Sequence, residues 1–136
     1  MDRFKYQNLI LGSVNKKDLE LQRDKIWKKY HIAPMANYCK RKKNAIFIST
    51  ANNLKHELSK LEVCYLLRKQ KQQFITEATR NNEDIKIDVV VLDTGEEIEI
   101  CHKNKKADTL SRYKEEGVIV IHTDKPVKKQ LEAQRL

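Results

Sequence analysis

The run Ile85-Lys86-Ile87-Asp88-Val89-Val90-Val91-Leu92, followed at once by Asp93-Thr94-Gly95, constrains this chain more than any other segment. β-Branched residues dominate it, and their stiff side chains suit a pleated surface. An Asp and a Gly in close succession favour a tight reversal, so Glu96–His102 is expected as the antiparallel partner strand. A lone hairpin is marginal in water. The rest of the chain must therefore cover it.

The flanking segments offer that cover. Leu54, Leu58, Leu61 and Tyr65 recur at helical intervals, predicting a helix over Asn52–Lys71 with its apolar face toward the core. Gln73–Thr79 reads as a strand, and Lys105–Glu116 as a short helix with Ala107, Leu110 and Tyr113 on one side. Val118–Ile121 reads as a buried strand, and Pro126 opens a final helix. Upstream, Leu19, Ile26, Trp27 and Tyr30 predict a helix over Lys16–His31, with Asn15 as N-cap and Asp18 three residues on. Pro34 closes that unit, and Ala45–Ile48 reads as a short strand or extended lead-in. Gly12, Gly95 and Gly117 stand where the chain should turn. From Asn52 the order is helix, strand, strand, strand, helix, strand, an α/β pattern.

A length of 136 residues predicts one domain. Within it, 1–50 reads as an N-terminal helical extension, 51–122 as the core and 123–136 as a C-terminal helix. A formal net charge of +9 favours polyanionic partners. Cys39, Cys64 and Cys101 are widely spaced and odd in number, which suggests neither a zinc site nor a disulfide framework. No apolar run approaches the ~20 residues of a membrane span. Lys5, Gln7 and Asn8 interrupt any signal-peptide core in Met1–Leu11. The expectation is a cytoplasmic protein with no membrane partner.

Three carboxylates stand in costly places. Glu57 lies three residues from Leu54 and four from Leu61, on or beside the apolar stripe. Asp88 interrupts a β-branched strand, on the face of Lys86, Val90 and Leu92 by strict alternation. Glu99 alternates with Glu97, Cys101 and Lys103, and a hairpin through Asp93–Gly95 sets it opposite Asp88. Facing carboxylates on adjacent strands repel, and a divalent cation between them reverses the sign. The plain alternatives are a Glu57 that reaches solvent or pairs with Lys60, and an Asp88 that is wet on an edge strand.

Leu54-Lys55-His56-Glu57-Leu58, Lys86-Ile87-Asp88-Val89-Val90-Val91-Leu92 and Glu97-Ile98-Glu99-Ile100-Cys101, in this order of elements, resemble the core of the PD-(D/E)XK nucleases. The likeness covers about Asn52 to Ile121. It implies a restriction-endonuclease-like core, a helix, three-stranded meander, helix and strand. It implies a metal-dependent nuclease acting on DNA ahead of RNA, with Mg²⁺ or Mn²⁺ held by Glu57, Asp88, Glu99 and the Ile100 carbonyl. Where that family carries a lysine, two residues after the acidic position, stands Cys101. Lys103 or Lys86 is the expected substitute, with His56 as a proton carrier. Lys40, Arg41, Lys42 and Lys43, Arg68, Lys69 and Lys71, and Lys105 and Lys106 are candidate phosphate contacts. A homodimer is a further implication of the likeness. Cys101 also motivates a second reading, a non-catalytic nucleic-acid-binding module with a decayed pocket; a third is a protein-interaction or structural subunit whose charge merely keeps it soluble.

Overall fold

The structure, a computed structural model, describes residues 15–32, 43–81, 83–102 and 107–135. Among these residues it is an α/β fold of four helices and a five-stranded mixed sheet. In chain order the elements are α1 (Lys16–Trp27), β1 (Tyr30–Ile32), α2 (Leu54–Lys69), β2 (Phe74–Arg80), β3 (Lys86–Val91), β4 (Glu97–Cys101), α3 (Ala107–Glu115), β5 (Ile119–His122) and α4 (Val127–Arg135). The strands lie in the order β1-β2-β3-β4-β5. The first four run antiparallel in succession, and β5 pairs parallel to β4 through the crossover helix α3.

Local chemistry accounts for most boundaries. The Asn15 side chain accepts from the Asp18 N–H at 2.9 Å and donates to its carboxylate at 2.8 Å, capping α1. Asn53 caps α2 in the same way by accepting from the His56 N–H at 2.8 Å. Helix α3 ends in a Schellman motif: Gly117 takes φ +75°, and the Val118 N–H returns to the Tyr113 carbonyl at 2.8 Å. The helix expected over Lys16–His31 stops at Trp27 instead. Tyr30, His31 and Ile32 form the edge strand, opposite Arg80, Thr79 and Ala78, so part of the expected extension belongs to the sheet. Tyr30 is a good strand former, and its hydroxyl donates to Glu97 at 2.6 Å, a contact a continued helix would forgo. Ala45–Ile48 is an extended lead-in without strand pairing, tied to β2 through the Thr76 hydroxyl, which accepts from the Phe47 N–H and donates to the Ala45 carbonyl.

Two helical layers sandwich the sheet. On one face Val63, Cys64 and Leu67 of α2, with Val127 and Leu131 of α4, pack on Phe74, Val89, Val91, Ile98, Ile100, Ile119 and Ile121. On the other face Ile26 and Trp27 of α1 cover Tyr30, Ile75, Ala78, Ile87, Val90 and Leu92, and α3 sets Tyr113 and Leu110 against Cys101, Val118 and Val120.

Helix α2 is turned the other way from its expected orientation. Its buried face carries Glu57, Ser59, Lys60, Val63, Cys64 and Leu67. The stripe Leu54, Leu58, Leu61 and Tyr65 faces outward. The reason lies in the sheet beneath, which presents carboxylates to the N-terminal half of the helix.

Candidate active site

Strict alternation fails at the middle of the sheet. Ile87 belongs with Val90 and Leu92, whereas Val89 and Val91 face α2. On the neighbouring strand Glu77 takes φ +54°, a conformation that L side chains other than Asn and Asp seldom adopt. The pairing of β2 with β3 skips the Glu77–Asp88 step and resumes at Ala78–Ile87. This local reversal sends Asp88 toward α2 rather than to the face of Val90 and Leu92. Strain of this kind collects at functional sites.

The ladder between β3 and β4 also stops here. Val90–Glu97 and Val89–Ile98 pair, and the next step sets Asp88 opposite Glu99. In place of main-chain bonds, the two carboxylates take the free donors. Glu99 Oε1 accepts from the Asp88 N–H at 2.9 Å, and Asp88 Oδ2 accepts from the Ile100 N–H at 2.8 Å. The other Glu99 oxygen lies 3.4 Å from the Tyr113 hydroxyl of α3.

Helix α2 closes the site. His56 Nδ1 lies 2.7 Å from Glu57 Oε1, and its Nε2 lies 3.3 Å from Asp88 Oδ2. The imidazole thus bridges two of the expected carboxylates. Glu57 also accepts from the Ser49 N–H at 3.1 Å and the Asn52 amide at 3.0 Å. Lys60 is fully buried, with Nζ 2.7 Å from Glu57 Oε2, 2.8 Å from Glu77 Oε1 and 2.7 Å from the Phe47 carbonyl. Lys86 meets the other Glu77 oxygen at 2.7 Å.

Four carboxylates, Glu57, Glu77, Asp88 and Glu99, are therefore only 6–8 % exposed around one corner of the sheet. When all are ionised, Lys60 and Lys86 leave two negative charges in excess, or one when His56 is protonated. The electrostatics follow. Burial alone would raise the Glu57 pKa, but Lys60, the Ser49 N–H, His56 and Asn52 outweigh it and hold the carboxyl down at about 2. Burial would lower His56, yet Asp88 and Glu57 raise it above its ordinary value. Lys60 is likewise penalised by burial and raised on balance by Glu57 and Glu77.

Of the residues expected from sequence, the structure brings together His56, Glu57, Asp88, Glu99 and Ile100. Lys86 is close, but it is engaged with Glu77. Cys101 is fully buried beside Tyr113 and Val118. Lys40, Arg41, Lys42, Lys103, Lys105 and Lys106 lie outside the described residues. Lys43 packs over the Trp27 ring at 4.4 Å and pairs with Asp24 at 3.6 Å. Arg68, Lys69 and Lys71 are exposed at the far end of α2. That is roughly 17 Å along the axis from Glu57, at 1.5 Å per residue. They do not join the pocket.

Sequence reasoning missed Glu77; it named Lys60 as a plain alternative partner of Glu57, and that pair is present, but buried and shared with Glu77. A glutamate inside Phe74–Arg80 carried the same signal as Asp88, an acid within a strand. Lys60 lies three residues after Glu57, on the side of the helix opposite the apolar stripe.

All the donors are hard oxygens, which suits Mg²⁺ or Mn²⁺, and the excess negative charge favours a cation. In the arrangement described, His56 stands between Glu57 and Asp88. Among the described residues no three His, Cys, Asp or Glu side chains are gathered to hold a metal. The donor chemistry fits, and the geometry is closed by an imidazole. Comparison with protein-family models, curated proteins and solved structures finds no match to this chain. No helix among the described residues is long and apolar enough to cross a membrane.

Proposed function

We propose that this chain is a metal-dependent nuclease of the PD-(D/E)XK type, hydrolysing DNA phosphodiester bonds. The observation that carries the reading is the opened β3–β4 ladder. It sets the Asp88 and Glu99 carboxylates side by side at the point where α2 delivers His56, Glu57 and Lys60. The element order and the parallel β4–β5 pair support the same reading, and a net charge of +9 suits a polyanionic substrate.

Asp88, Glu57 and Glu99, with the Ile100 carbonyl, are the residues that would hold Mg²⁺ or Mn²⁺ once His56 swings aside. A divalent ion there supplies a lowered water pKa and neutralises charge on the phosphate. The chain's own residues do the rest. Lys60 fixes Glu57 and Glu77 by pairing with both, and with the other donors around Glu57 it holds that carboxyl well below its ordinary range. His56, once displaced from between the carboxylates, is the side chain that can carry a proton to or from the reacting oxygen.

Incubation with plasmid and branched DNA in Mg²⁺ or Mn²⁺ tests this. Cleavage is expected to need the metal and to fall about a hundredfold or more in Asp88→Asn. Equal cutting by the two proteins removes the proposal. A second reading, a non-catalytic nucleic-acid-binding module, draws on buried Cys101 and on the closed pocket. It is favoured if salt-sensitive binding occurs without metal-dependent cutting.

A further inference from the structure

Between α2 and the turn that joins β5 to α4 lies a cavity of about 280 Å³. Lys55, Ser59 and Glu62 form one wall, and Thr123, Lys125 and Val127 the other. Helix α4 starts here without a side-chain cap. Its first main-chain bond runs from the Gln130 N–H to the Pro126 carbonyl at 3.3 Å, so Val127, Lys128 and Lys129 hold the N–H groups that every helix leaves over at its start. The residue ahead of them is Pro126, whose ring offers no acceptor, and among the described residues no acceptor serves these three groups. The charges also run against the helix dipole. An acid is favoured in the first turn, yet α4 has none there and carries Lys128 and Lys129, with Lys125 just ahead.

Ser59 is an independent sign on the opposite wall. It is 7 % exposed, it lines the cavity, and among the described residues nothing hydrogen-bonds to its hydroxyl. A serine inside a helix ordinarily returns that hydroxyl to a carbonyl of the preceding turn, and a buried one without a partner is costly. Unspent donors from α4 and from α2 thus border one cavity. Lys55 and Lys125 stand beside them, and Glu62, exposed, is the carboxylate on the lining.

We propose that this cavity holds a backbone phosphate of a bound nucleic-acid strand. The phosphate oxygens accept from the start of α4 and from the Ser59 hydroxyl, and pair with Lys55 and Lys125. Ser59 follows His56 by three residues on α2, which puts their Cβ atoms roughly 5–6 Å apart. A phosphate held here therefore anchors the strand beside the candidate active site rather than in it. That position and the net charge of +9 favour a nucleic-acid strand over free phosphate as the source. The inference rests on reading the chain as a protein that handles nucleic acid, and it holds whether or not the strand is cut.

Fluorescence anisotropy with a labelled DNA in EDTA, where metal-dependent cutting is suspended, reads the anchor alone. Ser59→Ala is expected to weaken binding about three- to tenfold with the salt slope unchanged. Lys125→Gln should weaken it about tenfold and lower the salt slope by about one. Lys17→Gln removes the same charge from an exposed site on α1, across the sheet, and should change affinity less than about twofold. Lys128→Glu should weaken binding about tenfold yet raise Tm by about a degree or two, since an acid suits an empty helix start. In an NMR titration the Val127, Lys128 and Lys129 amides should shift with DNA at micromolar concentration and with inorganic phosphate only in the millimolar range. Native affinity in both Ser59→Ala and Lys125→Gln overturns the proposal. Shifts with micromolar phosphate and none with DNA would mark a free-phosphate site, and that also overturns it. Amide shifts without any cleavage in Mg²⁺ remove the nuclease and keep the anchor, whereas cleavage with affinity indifferent to these substitutions removes the anchor and keeps the nuclease.

Discussion

Lys60 shows how one side chain can organise a pocket. Its ammonium is removed from water entirely, a cost of several kcal/mol for an isolated ion, and it is offset by two carboxylates and a carbonyl within 2.8 Å. Removing the lysine would leave Glu57 and Glu77 facing each other without their shared cation. Lys60→Met is therefore expected to cost about 3–5 kcal/mol by urea unfolding. A loss below about 1 kcal/mol would show that the carboxylates find water or another partner. The sequence announced Glu57, Asp88 and Glu99 because each broke a pattern. Lys60 was legible only as an alternative partner of Glu57, since nothing in a charged helix marks one lysine as buried.

At the level of elements, most helix and strand identities were legible from local spacing, and β2 to β5 were located to within a residue or two, whereas β1 was read as the end of a helix. The hairpin turn is the clearest case. Gly95 adopts φ +81°, and a Cβ added there would lie 3.0 Å from Ile26 Cδ1 of α1. Gly95→Ala must bear both left-handed strain and a close contact, about 1–2 kcal/mol together. A thermal scan should show Tm lower by roughly 3–8 °C. An unchanged Tm would mean that the turn adopts another conformation at little cost. The orientation of α2 was not legible. Periodicity locates an apolar stripe but not the direction it faces, and the buried Glu57–Lys60 face was chosen by the carboxylates of β2 and β3. The end of α1 was also misread, because Tyr30 fits both a helical stripe and a strand edge.

For the molecule as a whole, the His56 bridge couples stability to pH. Its folded pKa is raised above the unfolded value of about 6.5. The protonated bridge therefore stabilises fully below the unfolded pKa, and that contribution disappears as pH rises through the folded one. The unfolding free energies of the native chain and His56→Gln are expected to differ most in mildly acidic solution and to converge toward alkaline pH. A difference that stays constant with pH would rule out a titrating bridge. The rest of the molecule is tied at the opposite end of the sheet. There Arg135 of α4 pairs with Glu96 at 2.7 Å and Gln72 at 2.7 Å, and Arg23 of α1 pairs with Asp93 at 2.7 Å. Sequence alone determined what depends on neighbours within a few residues: the hairpin and its turn, the Asn15 cap, the order of elements from α2 onward and the surplus of positive charge. Only the tertiary structure decided which face of α2 is buried, that Glu77 and Lys60 belong with Asp88, and that the basic run after Leu67 lies away from the pocket. Those outcomes depend on charges distant along the chain being desolvated together, and no local periodicity records that.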